Sequence, residues 1–295
     1  MNRKIDYKIN ENDTGKTVES FLKEHGYTHQ VLVRLKQTDH GILRNGIWTY
    51  TNERLCKDDL ITVQIVENEC SDNIAPVNLP LDIAYEDDDI IVINKPFDMP
   101  AHPSAGNHDN TLANALMYYY GSQNKPFVYR CINRLDRDTT GLTIVAKHAL
   151  AGGILGNAVA KRAIHRTYYA VCSGCTPAYM RISAPIARKD ASTIERCVDF
   201  KRGENAVTDF IRIKYNPDNN LSLVKLRLLT GRTHQIRVHM KYIGFPLIGD
   251  FLYNPDYTYI SRQALHSGRL VFTHPVTGQK MNLISDIPSD MKSLF

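Results

Sequence analysis

Short runs of period-two alternation follow one another along most of this chain, with few helical stretches between them, and this restricts the possible folds more than any other feature. Leu221–Leu228 sets Val224, Leu226 and Leu228 on one side against Lys225 and Arg227 on the other, as in a strand with one buried face. Strands are also expected over residues 81–85 and 90–94, around the acidic turn Glu86-Asp87-Asp88-Asp89, and over 142–146, 168–172 and 207–213. Beyond residue 80, helical periodicity is confined to 111–119, 149–161 and 232–243, the last stopped by Gly244. A doubly wound sheet needs a crossover helix between successive strands, and too few are available. The expected fold is therefore α+β, built on a mixed, largely antiparallel central sheet with flanking helices and loops.

A break falls where Glu67-Asn68-Glu69-Cys70-Ser71-Asp72-Asn73 runs into Pro76 and Pro80, a polar stretch followed by prolines that reads as a linker. Before it, Val18, Phe21 and Leu22 and then Val31, Leu32 and Leu35 stand at helical spacing. Asn45-Gly46 marks a turn between short strands, Lys57-Asp58-Asp59 a second turn, and residues 60–65 a closing strand. The boundaries are thus a small α/β domain over 1–70, a linker over 71–80 and a larger domain over 81–295. The helix, helix, turn, strand, strand order resembles the RNA-binding domain of the ribosomal small-subunit S-four type. Arg34, Lys36 and Arg44 would be its phosphate contacts, with a purely packing role equally open.

Hydrophobic residues at 43% and charged residues at 23% describe a globular chain. Its opening residues carry no apolar core and no stretch approaches eighteen uninterrupted apolar residues, so a cytoplasmic, non-membrane location is expected. Six cysteines are then expected to be reduced thiols. Cys172 and Cys175 form a lone C-x-x-C without the second pair that a zinc site needs. The net charge of +5 is unevenly spread: residues 1–70 hold 10 basic against 11 acidic side chains, while the remainder holds 26 against 20. A polyanionic partner would therefore meet the later part of the chain.

Two segments carry chemistry. In Asn133-Arg134-Leu135-Asp136-Arg137-Asp138-Thr139-Thr140-Gly141, a carboxylate lies between two arginines in a loop that feeds a strand, a setting that favours the ionised form. A surface ion pair would account for the same string. In Leu229-Thr230-Gly231-Arg232-Thr233-His234-Gln235-Ile236-Arg237-Val238-His239-Met240, a glycine turn opens a helix with Ile236, Met240 and Ile243 on one face. Arg232 and Thr233 are expected in its first turn, where free N–H groups favour an anion. Arg237, one turn on, would reach a carboxylate from another loop. A solvated basic face is the plainer reading of the same helix.

Together these segments make residues 77–295 resemble the RluA family of pseudouridine synthases. The family's R-L-D motif with its following Thr and Gly is met by Arg134, Leu135, Asp136, Thr140 and Gly141, and its tyrosine motif by Arg166, Tyr168, Ala170 and Gly174. The motif T-G-R-T-H-Q-I-R-x-H is met in full from Thr230 to His239. Supporting pieces are Asn94-Lys95-Pro96 with His102-Pro103, Pro246-Leu247-Ile248-Gly249-Asp250 with Tyr253, and Leu265-His266 with His274-Pro275. Asn133 stands where the family often has His, so no RNA contact is carried over to that side chain.

The resemblance implies an enzyme that isomerises uridine in structured RNA, with large-subunit ribosomal RNA favoured and transfer RNA the alternative. Asp136 would be the catalytic carboxylate, as nucleophile or base, Arg237 its ion-pair partner and Tyr168 the active-site tyrosine. Arg134, Arg232, Thr233, His234, Gln235 and Lys95 would meet RNA, a flipped base being required because a stacked uridine is out of reach. No cofactor or metal is expected, and a monomer is the default. The rival enzyme class is a metal-dependent nuclease using His234, His239 and Asp250, although histidines five apart share a helix face poorly. A non-catalytic RNA-binding protein is the rival of another class.

Overall fold

In the structure, a computed structural model that describes residues 1–190, 192 and 194–295, the strands gather into one four-stranded sheet, one ten-stranded sheet and a two-stranded ribbon. The N-terminal unit consists of β1 (Asn2–Lys8), α1 (Val18–Glu24), α2 (His29–Gln37), β2 (Ile42–Arg44), β3 (Ile47–Trp48) and β4 (Leu60–Val66). Its strands lie in the order β1-β4-β2-β3, all antiparallel. The hydroxyls of Thr17 and Thr28 cap the two helices, accepting from the N–H groups of Ser20 and Val31. Val18, Phe21 and Leu22 of α1 and Val31, Leu32 and Leu35 of α2 close over Ile61 and Val63. β1 escaped the sequence pattern because Ile5 is its only buried residue, set among charged neighbours on an edge strand.

Residues 67–82 contain no regular element, yet they are fastened down. Ile74, Leu79 and Leu81 pack on the larger unit's core, and the Asn114 amide donates to Ala75 O at 2.7 Å. The larger unit begins with β5 (Ile83–Glu86), β6 (Ile90–Lys95), α3 (Leu112–Gly121), β7 (Arg130–Cys131), β8 (Thr140–Ala146) and α4 (Ala149–Ala160). It continues through β9 (His165–Ser173), β10 (Tyr179–Ser183), the ribbon strands β11 (Ile186–Arg188) and β12 (Arg196–Val198), then β13 (Val207–Asn216) and β14 (Leu221–Leu228). The last elements are α5 (Gln235–Tyr242), β15 (Leu265–Thr273), β16 (Lys280–Ile284) and α6 (Ser289–Lys292).

The large sheet runs β10-β13-β14-β9-β15-β8-β6-β5, with β16 added to β15 and β7 to β8. Its pairings are antiparallel except one: β15 meets β8 in parallel over just His266↔Thr140 and Ser267↔Gly141. At that junction a Cβ on Gly141 would lie 2.3 Å from Ser267 O, and its φ is +106°, so only glycine lets the strands meet. The loop before Gly141 is thereby held at the seam between the two halves of the sheet.

α5 starts at Gln235, three residues later than the periodicity predicts. The Gln235 side-chain oxygen accepts from Thr230 Oγ1 at 2.8 Å and from the Arg232 N–H at 2.9 Å, folding residues 230–234 into a turn ahead of the helix. Arg232 and Thr233 consequently lie outside its first turn.

α4 joins the two units. Leu150, Ala149 and Ile154 pack into the N-terminal core, and Gly26 lies so close that a Cβ there would fall 2.6 Å from Ile154 Cγ1. Polar ties flank this contact. Arg3 forms a two-pronged bond to Asp89 (Nε–Oδ1 2.7 Å, Nη2–Oδ2 3.2 Å), and Glu67 takes both Arg130 and the Ala149 N–H.

Candidate active site

The loop from Asn133 to Thr139 is anchored at several points on the seam. The buried Asn133 amide bonds both ways across β8, donating to Leu142 O at 3.2 Å and accepting from Ile144 N–H at 2.8 Å. Thr143 Oγ1 donates to Asn133 O at 2.6 Å, and Gln263 Nε2 to Thr139 Oγ1 at 2.5 Å. Lys95, only 1% exposed, donates to the carbonyls of Pro96 (2.7 Å) and Arg137 (2.8 Å). Burial pushes its pKa down to about 7, with Asp136 and Asp138 opposing. A neutral amine still offers two N–H groups, enough for both carbonyls.

This framework presents Asp136, whose side chain is 29% exposed, to Arg237 of α5 at 3.0 Å (Nη1–Oδ2). Arg237 is itself 2% exposed and held from its other edge by Asp250, through Nε–Oδ2 at 2.7 Å and Nη2–Oδ1 at 2.8 Å. Asp250 is fully buried and aimed by the N–H groups of Leu252 and Tyr253. The guanidinium also lies 5.4 Å from the Phe251 ring centre and 5.0 Å from that of Tyr253. Burial opposes its charge, but the bonds from Asp250 and Asp136 outweigh burial and raise its pKa. One cation between two carboxylates leaves a net negative charge at Asp136, whose Oδ1 has no hydrogen-bond partner among the described residues.

Tyr168 sits on β9 between Leu226 of β14 and Ser267 of β15, 5% exposed and packed with Leu135 and Ile236. Burial pushes its phenol pKa up, opposed chiefly by Arg166. Asp136, Tyr168 and Arg237 all line one cleft of about 1020 Å³, which also receives six further arginines, Arg134, Arg137, Arg162, Arg166, Arg227 and Arg232. Asp136 is the single carboxylate among the described residues that line it. Arg134, Arg162, Arg166 and Arg227 have no ion-pair partner among the described residues. Such a cleft attracts a polyanion and offers it one negatively charged group.

The other sequence-derived candidates divide. Arg134 and Thr233 are exposed on the cleft. Arg232 reaches it but is engaged by Glu204 and by Asn205 O. His234 lies 4.0 Å from Asp136 (Nε2–Oδ2) and 2.9 Å from the Tyr253 hydroxyl (Nδ1), in a left-handed conformation with φ +56°. Burial lowers its pKa, against the pull of Asp136, so the ring is neutral at pH 7. Gln235 is 2% exposed and spends its amide on Val207 O, Thr208, Thr230 and Arg232. Lys95 is not among the cleft-lining residues; it holds the Asp136 loop from beneath.

The metal-nuclease trio does not converge. Both ring nitrogens of His239 are bonded to Thr208 Oγ1 and Ala184 O, and both Asp250 oxygens go to Arg237. Sequence reasoning left Phe251 and Arg166 without a role in the site and gave Asp250 one only as a metal ligand in the rival reading, not as the holder of Arg237. The signals were present, since Asp250 closes the Pro246–Asp250 string and Arg166 opens the tyrosine motif.

Comparison with known proteins accords with this geometry. A family model described as RNA pseudouridylate synthase matches residues 89–242. A Bacillus subtilis protein described as uncharacterized RNA pseudouridine synthase YjbO is 38% identical over 95% of this chain and 98% of its own. The ribosomal large subunit pseudouridine synthase D of Haemophilus influenzae is 40% identical over 86% of this chain and 81% of its own. Among solved structures, human RNA pseudouridylate synthase domain containing 1 superposes with a TM-score of 0.59 at 26% identity, covering 70% of this chain and 83% of that one.

Proposed function

The chain belongs to the RluA family of RNA pseudouridine synthases and is an isomerase acting on RNA, and from that premise we propose that its substrate is large-subunit ribosomal RNA, with Asp136, Arg237 and Tyr168 carrying out the isomerisation. The observation that carries the assignment is a lone carboxylate, fixed by a buried arginine, in a cleft whose other charged lining residues are arginines. The ribosomal preference is supported by the relatives named as large-subunit synthases at 40% identity over most of this chain.

The reaction breaks the bond from uracil N1 to the ribose, turns the ring and rejoins it through C5, with the C5 proton lost and N1 protonated. Asp136 attacks as nucleophile or removes a proton as base, and Arg237 keeps it oriented throughout. Asp250 matters because it occupies the Nε–Nη2 edge of Arg237 and leaves Nη1 to face Asp136. Tyr168 supplies a ring face for the detached uracil and a hydroxyl for the departing C5 proton. Its raised pKa keeps that hydroxyl protonated at rest, so it takes up the C5 proton only as it passes its own proton on. The unpaired arginines of the cleft hold phosphates on either side of the flipped nucleotide.

Release of tritium from RNA containing C5-tritiated uridine tests the substrate. A large-subunit rRNA transcript is expected to release label in proportion to enzyme and time, and a tRNA pool to release none. Release from tRNA alone would overturn the ribosomal assignment.

A further inference from the structure

A second groove of about 1000 Å³ lies between α2 of the N-terminal unit and α4 of the larger one. It shares Cys131, Ile132 and Val159 with the active-site cleft, so the two depressions adjoin beside the C-terminal end of α4. Its lining contains Arg34, Arg130 and His29 and, among the described residues, no carboxylate. Its floor is the face of α4 that carries Gly152, Gly153 and Gly156. Gly152 and Gly153 are in close contact, a Cβ falling 3.0 Å from Arg130 Cδ in one case and 3.0 Å from Thr28 Cγ2 in the other. A Cβ on Gly156 would meet nothing within 4 Å. The missing side chain at that position therefore leaves the groove open without serving helix packing, although glycine disfavours a helix interior.

We propose that this groove is a second RNA-binding surface, in which the strand flanking the target uridine leaves the active-site cleft, crosses α4 at Gly156 and meets Arg34, His29 and Gln30 on α2. The proposal rests on the RNA-isomerase reading and extends it to the part of the substrate beyond the reacting nucleotide. From Gly152 to Val159, α4 advances about 10 Å, room for roughly three nucleotides of a strand. Of the three cations that the sequence marks as phosphate contacts in the N-terminal unit, Lys36 is bound by Glu19 at 3.2 Å and Arg44 by Asp59 at 2.7 Å. Arg34 is 57% exposed, 3.6 Å from Glu69, and is the one that lines the groove.

The test uses the full chain and a fluorescein-labelled 20-nucleotide RNA of mixed sequence lacking uridine, so that binding is read without turnover. Gly156→Glu sets a carboxylate in the groove; Gly121→Glu, on α3 where a Cβ also meets nothing within 4 Å, makes the same charge change elsewhere. Gly156→Glu and Arg34→Glu are each expected to weaken binding about tenfold in 0.1 M salt, with a shallower salt slope for Arg34→Glu. Gly121→Glu is expected to lose about twofold or less. If both groove variants bind like Gly121→Glu, the groove does not hold RNA. Tritium release by the wild-type chain reports the isomerase reading separately: turnover with unaltered groove-variant affinity overturns the groove alone, and weakened binding without turnover would count against the reaction and not against the groove.

Discussion

The N-terminal unit and the active-site cleft are both rich in cations, and they differ in what those cations face. In the N-terminal unit nearly every one is neutralised nearby: Lys16 by Asp13 and Glu24, Lys23 and Lys36 by Glu19, Arg44 by Asp59, Lys57 by Glu11 and Lys8 by Asp58. In the cleft four arginines face solvent without an ion-pair partner among the described residues, and Arg237 is bound on both sides. The available positive field depends on pairing and not on the count, because a carboxylate at 3 Å cancels a cation for any phosphate farther away.

The sharpest way to break this contrast is to remove the one carboxylate of the cleft. Asp136→Asn should lower tritium release on the order of 10⁴-fold, as for loss of a principal catalytic group, while RNA affinity stays level or rises because the variant cleft is more positive. A variant that lost RNA binding as steeply as turnover would recast Asp136 as a structural ion-pair residue.

Next in size is Asp250→Asn, which keeps the shape of the side chain and removes one of the two charges on Arg237. Breaking a buried pair costs about 3–5 kcal/mol, so a drop of several degrees in the unfolding midpoint is expected. Arg237 should also lose its fixed aim at Asp136, lowering turnover about 10²-fold with a smaller effect on RNA affinity. Unchanged turnover in a destabilised protein would separate stability from aim and reject the positioning role.

How much of this was readable beforehand follows the range of the interactions. β14 could be read end to end because its alternation is local, and the contact of Asp136 with Arg237 could be read because two motifs each carry one partner. β15 and β16 were missed: Gly268 interrupts β15 at a bulge beside the Tyr169 ring, so period two breaks there. Lys95 was expected at RNA because a lysine beside a motif looks like a phosphate contact. Its burial depends on carbonyls of Pro96 and, 42 residues away, Arg137, which no local pattern announces. The start of α5 was misplaced for a related reason, since the Gln235 side chain turns back on Thr230 and Arg232.

The joint between the two regions gives a smaller effect, on stability and not on chemistry. Asp89 is nearly buried; burial would push its carboxyl up, but hydrogen bonds from His148 and Arg3 bring it down to about 2. A native pKa below the ordinary 3.9 means that the unfolded chain takes the proton more readily. The stabilisation, about 2 kcal/mol, is therefore complete above roughly pH 4 and is lost as pH falls through 2. Arg3→Ala should shift the acid transition to higher pH. Trp48, the only tryptophan, lies in β3 and reports the N-terminal unit by fluorescence. An unshifted transition would show that the Arg3–Asp89 tie does not couple the units.

The smallest expected effect tests the contrast most directly, because it asks whether a paired cation counts at all. Lys36 is on the same helix as Arg34, but its ammonium is committed to Glu19, which also takes Lys23 at 2.7 Å. These bonds hold the Glu19 carboxyl down at about 2, so it stays charged across the working range of pH. Lys36→Ala should accordingly change affinity for a 20-nucleotide RNA by about twofold or less in 0.1 M salt, a long-range effect screened within one Debye length. Its salt slope should match that of the wild-type chain, since no phosphate contact is removed. A loss as large as that of Arg34→Glu would mean that the Lys36–Glu19 pair opens to admit RNA. The pairing seen on the N-terminal surface would then describe a resting arrangement and would not limit which cations the nucleic acid can use.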